Sequence, residues 1–216
     1  MPDSASVCPL CESTSTTHYF RDPQRDYLQC DVCDLVFVPP EFHLNEQDEK
    51  VRYDDHENSI EDAGYCSFLG HLLTPLVARL PEGAEGLDFG SGPGPTLSLL
   101  MAKQGFPMVC YDKYYAADES LLNRSYDFIT STEVIEHLRE PKHVLEQLIS
   151  MLKPGSHLGI MTSLLPPFDK FAGWHYKRDI THIVFYSEST FEWIAKRWNL
   201  QLEIIRKDTI ILKKGN

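Results

Sequence analysis

Residues 86–103 read Gly-Leu-Asp-Phe-Gly-Ser-Gly-Pro-Gly-Pro-Thr-Leu-Ser-Leu-Leu-Met-Ala-Lys. A short buried-strand pattern, Gly86–Phe89, runs into Gly90, Gly92 and Gly94, and a helical pattern follows over Thr96–Lys103. Glycines at such a turn let the backbone pass close beneath a ligand without a Cβ clash. The next apolar run, Pro107–Tyr111, is a second strand that ends at Asp112, where a carboxylate can accept both hydroxyls of a ribose.

The rest of the chain continues the alternation. Residues 63–79 carry apolar side chains at helical spacing, with Pro75 a kink point, and Tyr126–Thr130 reads as a third strand. Pro141–Leu152 is a helix with proline in its first turn and Lys153-Pro154-Gly155 as its stop, followed by a strand over Ser156–Thr162. Ser187 or Ser189 caps a last helix reaching about Trp198, the pair Ser189 and Glu192 fitting a capping box. Gln201–Arg206 and Thr209–Leu212 close the chain as a hairpin. Strands alternating with helices predict an α/β fold with a largely parallel sheet.

Only 14 residues separate Asp112 from Asp127. A crossover to a parallel strand needs about a dozen residues or more besides the strand itself. The sheet is therefore expected to lack a regular strand within 113–125, its edge covered by Tyr114, Tyr115 or the front of the chain.

That front differs in chemistry. Residues 1–62 hold 15 Asp/Glu against 4 Lys/Arg, leaving 17 acids and 16 bases for residues 63–216. Four of the six cysteines form two CxxC pairs, Cys8/Cys11 and Cys30/Cys33, with 18 residues between them. Two such turns on a hairpin present four thiolates tetrahedrally, which predicts a structural zinc ribbon over residues 1–40; iron suits the same sulfurs. Cys66 and Cys110 are expected to pack rather than react. Residues 41–62 read as an acidic linker or lid. A net charge of −12 with no basic stripe argues against a nucleic-acid partner. No apolar run is long enough to cross a membrane and the start lacks a signal-peptide pattern, so the expected location is the cytoplasm.

The glycine spacing departs from the dinucleotide fingerprint, and no phosphate-loop lysine follows it. Leu87–Gly94, with Asp112, resembles the class I S-adenosylmethionine-dependent methyltransferases over residues 63–216. Tyr126–Leu138 is similar to the fourth-strand motif of the ubiquinone-biosynthesis type, and Leu152–Gly155, followed by a strand, to the family's sixth motif. The resemblance implies a Rossmann-like sheet, here abbreviated at its third strand, that binds S-adenosylmethionine. It places Asp88, Gly90, Ser91, Gly92 and Gly94 around the methionine moiety and Asp112 on the ribose, with Thr132 and Glu133 also at the cofactor. The acidic adenine ligand that usually follows the third strand has no counterpart unless Asp118 or Glu119 substitutes.

Proton-transfer candidates sit on loops after strand ends: Glu133, Glu136, His137, His175, Asp179 and His182, with His182 the expected base beside His137 and His175. The leading function is methyl transfer to a small-molecule acceptor. An RNA methyltransferase and a non-catalytic cofactor-binding module are the alternatives; retention on RNA at low salt marks the first, and tight cofactor binding without turnover the second.

Overall fold

The computed structural model describes residues 6–54 and 58–216. Strands β1 (Thr16–Arg21) and β2 (Asp26–Cys30) form an antiparallel hairpin, and β3 (Val36–Phe37) pairs with β2. A single 3₁₀ turn over Pro40–Phe42 leads to helix α1 (Glu46–Tyr53), whose Asn45 cap accepts from the Asp48 amide. The stretch expected to be a linker or lid is thus partly helical, with 55–57 outside the described residues.

Helix α2 (Ala63–Val77) starts at Asp62, whose carboxylate accepts from the Gly64 and Tyr65 amides, and it contains Pro75. Then come β4 (Gly86–Phe89), α3 (Thr96–Lys103), β5 (Met108–Tyr111), β6 (Tyr126–Thr132), α4 (Pro141–Met151) and β7 (Leu152–Met161). The short helix α5 (Phe168–Phe171), strand β8 (Val184–Phe185), helix α6 (Glu188–Arg197) and the hairpin β9 (Leu200–Arg206) and β10 (Thr209–Lys214) complete the chain. The main sheet has six strands in the order β5-β4-β6-β7-β10-β9. Its first four strands are parallel, and β10 is antiparallel to both of its neighbours.

Strand alternation puts helices on both faces. Phe128, Met161 and Ile211 face Leu69, Leu72, Leu73 and Leu76 of α2 and Leu97 and Met101 of α3. Their sequence neighbours Ile129, Ile160, Ile210 and Leu212 face the other way, toward Leu145 and Leu148 of α4 and Phe191 and Ile194 of α6. That second cluster also contains Cys8, Leu10, Cys30, Cys33, Leu35 and Phe37 from the front of the chain. The front of the chain, where the ribbon was expected, therefore shares a core with the main body. Its sheet is completed from far along the chain, since β3 pairs with β8 through Phe37 opposite Val184.

No regular strand lies within 113–125, as the arithmetic required. A single bridge, Asp112 to Ala116, and a 3₁₀ turn over Glu119–Asn123 fill the interval, and that turn packs on β5. Two boundaries differ from the expected ones. Ser187, not Ser189, caps α6: its hydroxyl accepts from the Thr190 amide while the Thr190 hydroxyl accepts from the Ser187 amide, so Thr190 replaces Glu192 in the box. Strand β7 begins at once after α4, because the Lys153-Pro154-Gly155 stop is absorbed as a register irregularity opposite Tyr126 and Phe128, with Gly155 at φ 76°. Among the described residues no helix is long and apolar enough to cross a membrane.

Candidate active site

The parallel strands β4, β5 and β6 end at the same edge of the sheet, and a cavity of about 640 Å³ opens there. Small-molecule sites commonly occupy about 300–1,000 Å³. Gly90, Gly92, Asp112, Thr132, Glu133, His137, His175, Asp179 and His182 all line it, so both groups of expected residues meet in one space.

Gly90 and Gly92 turn with φ of 78° and 64°, the left-handed region that favours glycine, and a Cβ on Gly90 would strike the Val134 side chain. Asp112 is held rigidly. One carboxylate oxygen accepts from the Gly92 amide at 3.0 Å, and the other from the Tyr114 and Tyr115 amides at 2.8 and 3.2 Å. Asp88, Ser91 and Gly94 do not line the cavity. Asp88 is buried beneath the loop, where it accepts from the Thr130 hydroxyl at 2.8 Å; Ser91 is also buried, and Gly94 lies against the Asn58 carbonyl. Asp118 accepts from the Ser120 amide and hydroxyl, and neither it nor Glu119 reaches the cavity. Tyr114, Tyr115 and Leu122 form the wall there instead.

On the other side, His137 and His182 stand with ring centroids 4.6 Å apart. His137 Nδ1 meets the Thr181 carbonyl at 3.1 Å and His182 Nδ1 the Tyr176 carbonyl at 2.8 Å. A carbonyl only accepts, so each Nδ1 carries the hydrogen and the lone pair of each neutral ring is on Nε2. His182 Nε2 is 3.9 Å from the Asp179 carboxylate, and His137 Nε2 is 3.9 Å from Glu136. Glu136 is fully buried and accepts from the Tyr176 hydroxyl at 2.6 Å, while its Oε2 has no hydrogen-bond partner among the described residues. Burial pushes the Glu136 carboxyl up, and burial with the charge of Glu136 pushes Glu133 up. Glu133 also has φ 54°, a costly conformation for a residue with a side chain, held at the end of β6 by its amide on the Met161 carbonyl. Glu136, His137 and His182 each bring one ligand atom within 4.8 Å of the others, a spacing that could receive a divalent cation.

Tyr53, Tyr65 and Tyr176 also line the cavity and were not singled out from the sequence as site residues; Tyr114, expected as cover for the sheet edge, lines it too. Tyr176 lies between His175 and Asp179, which the sequence did point to, and Tyr53 in the stretch expected to be an acidic linker or lid. Glu49 of α1 is buried at the rim and accepts from Tyr53, Lys113 and Arg139, which ties the acidic stretch across the cavity mouth.

The four front cysteines fit a tetrahedral metal. Their sulfurs all lie within 4.8 Å of one another, with Cys8–Cys33 at 3.5 Å and Cys11–Cys30 at 3.3 Å. A tetrahedral zinc with about 2.3 Å bonds to sulfur has sulfur–sulfur edges of about 3.8 Å. The Val32 amide points at the Cys30 sulfur at 3.4 Å, as suits a thiolate.

Burial holds the Asp88 carboxyl up at about 6, with the Asp112 charge adding to it and the Thr130 hydrogen bond opposing it. An unfolded Asp titrates near about 3.9, so between about pH 4 and 6 the native state keeps a proton that the unfolded chain has released. Stability from this group is full below about pH 4 and falls as pH rises to about 6, by roughly 2–3 kcal/mol. Asp88→Asn is expected to flatten this part of the urea-denaturation pH profile; an unchanged slope would count against it.

The comparisons with known proteins agree with this geometry. A methyltransferase-domain family model matches residues 61–204, more than half of the chain. The ubiquinone biosynthesis O-methyltransferase of Photorhabdus laumondii is 27% identical over 93 residues, covering 43% of this chain and 39% of that protein. The Vibrio cholerae protein of the same name is 30% identical over 95 residues, covering 43% and 38%. The chain thus spans about two fifths of the length of these curated relatives. Human N-acetylserotonin methyltransferase, solved in complex with S-adenosylmethionine, superimposes with a TM-score of 0.51 at 16% identity, covering 68% of this chain and 52% of that one. With the glycine turn, the fixed Asp112 and the six-stranded sheet in place, the chain belongs to the methyltransferase-domain family.

Proposed function

We propose that this chain transfers a methyl group from S-adenosylmethionine to a small-molecule acceptor in the cytoplasm, and that its ribbon carries a structural zinc. The observation that carries the reading is the one cavity shared by Gly90, Gly92 and Asp112 with His137, His175 and His182. Bound S-adenosylmethionine would supply an electrophilic methyl on its sulfonium. Asp112, pinned by three amides, presents its carboxylate to the ribose hydroxyls. The aromatic lining keeps water from the reacting groups, and positioning accounts for much of the rate in such a displacement. His182 takes the acceptor's proton on Nε2, and the Asp179 carboxylate 3.9 Å away favours the resulting imidazolium.

A small acceptor suits the acidic front better than RNA, whose phosphates call for clustered Lys and Arg. The two curated relatives, named for O-methylation, give the same direction. The direct test incubates the protein and labelled S-adenosylmethionine with a metabolite extract and, separately, with total RNA. Label in a small molecule supports the reading. Label in RNA alone, or cofactor binding with no labelled product, overturns it in favour of one of the two alternatives.

Asp112→Ala is expected to weaken binding of S-adenosylhomocysteine by about 1.5–3 kcal/mol in calorimetry, the scale of a charge-assisted contact. Unchanged affinity would remove Asp112 from the site. His182→Ala is expected to leave that affinity intact and to slow methyl transfer by about 10²–10⁴; full activity would exclude it as the base. Elemental analysis should find one zinc or iron per chain, lost in Cys30→Ser, and protein made with ample metal but carrying none would refute the ribbon site.

A further inference from the structure

The acceptor side of the cavity rests on a segment with little structure of its own. Tyr176–Arg178 make a single 3₁₀ turn, and 179–183 run irregularly into β8. The carbonyls of this segment point two ways. Those of Tyr176 and Thr181 accept from His182 and His137 and so set the tautomer of each ring. Those of Lys177, Asp179 and Ile180 converge on one side chain, Arg25, from the turn between β1 and β2 of the ribbon.

Arg25 is 4% exposed. Its Nη2 donates to Lys177 and Asp179 at 2.8 and 3.1 Å, its Nη1 to Ile180 at 3.0 Å, and its Nε to the Tyr27 hydroxyl at 2.9 Å. Among the described residues no ion pair includes it. A buried cation solvated by backbone carbonyls is expensive unless its donors are used; the planar guanidinium spreads four hydrogen bonds over three carbonyls and a hydroxyl, a spread that the point-like ammonium of a lysine does not match. Neighbouring contacts reinforce the tie: Lys177, also buried, donates to Asp22 at 2.9 Å, and the Val38 amide donates to the Ile183 carbonyl at 2.8 Å.

We propose that Arg25 is a positioning residue for the histidine pair. By fixing three carbonyls of the 177–180 segment to the ribbon, it holds the flanking Tyr176 and Thr181 carbonyls where they keep hydrogen on Nδ1 and the lone pair on Nε2. The ribbon is then a clamp on the acceptor side of the site as well as a metal-stabilised module. This inference rests on the reading of His182 as the base, but its test does not use turnover.

The test compares the full-length metal-loaded protein with Arg25→Gln, Arg25→Lys and, as a ribbon control, Arg21→Gln, whose exposed side chain pairs with Asp26. In Arg25→Gln, amide hydrogen exchange over 176–183 is expected to rise about tenfold or more, while the amides of β4, β6 and β7 keep their protection. Imidazole ¹⁵N spectra should show His137 and His182 passing from the Nδ1-protonated tautomer to a mixture, with S-adenosylhomocysteine affinity within about twofold of the parent. Arg25→Lys keeps the charge and the stem but not the fork, and is expected to behave like Arg25→Gln; Arg21→Gln should match the parent. Parent-like exchange and tautomers in either folded Arg25 variant overturn the proposal. So does uniform loss of protection across the main sheet in both variants, which makes Arg25 a general core residue. Loss of turnover in His182→Ala bears on the base alone, so the two readings fail separately.

Discussion

The parallel pairing of β4 with β5 on one side and β6 on the other is the constraint from which the site follows. Leu87 sits opposite both Val109 and Ile129, so the three strands finish level with one another. Their carboxyl ends then deliver the glycine turn, Asp112 and Glu133 to one cavity without any long loop having to reach. The hydrogen bond from the Gly92 amide to Asp112 joins two of those strand ends directly.

What the sequence revealed and what it concealed divide along the range of the interactions. Helix α3 was legible to its end residues because Pro95 and Thr96 begin a short amphipathic run that stops at Lys103. The missing third strand was legible because chain length is a hard limit. The cysteine spacing led to four sulfurs that do cluster. By contrast, Asp88 lies within the most recognisable motif yet faces Thr130 and not the cavity, since its neighbours Leu87 and Phe89 decide which side of the strand it takes. Nothing local marks Arg25 or the two residues of β8, whose partners are about 150 positions distant in the chain. Tyr53 escaped notice for the same reason: its segment is polar everywhere except the face that meets Tyr114 and His137.

The ribbon and the main body illustrate two ways of stabilising a small unit. A stretch as short as residues 6–40 rarely builds a sufficient core of its own, and a tetrahedral metal is a usual remedy. Here the same stretch also lends Leu10, Leu35 and Phe37 to the core beneath α4 and α6 and takes Phe171, Tyr176 and Phe185 into a second aromatic cluster around Tyr27. Tyr27 meets Phe171 edge-on at 5.1 Å, and the Lys177 ammonium lies 5.6 Å from the Tyr27 ring. The aromatic cluster and the histidine pair share Tyr176, so packing in the ribbon and geometry in the cavity are parts of one structure.

The pairing of β3 with β8 carries a consequence for biosynthesis. Val36 and Phe37 leave the ribosome well before their partners Phe185 and Val184, which follow about 150 positions later in the chain. The sheet of the front module is thus completed only after β4 to β7 of the main body have been made. For that interval β3 has an open edge, flanked by the apolar Leu35 and Val38, of the kind that recruits unwanted strands. A metal held by the two cysteine turns would keep the hairpin closed during that interval, so that only the outer edge of β3 waits for β8.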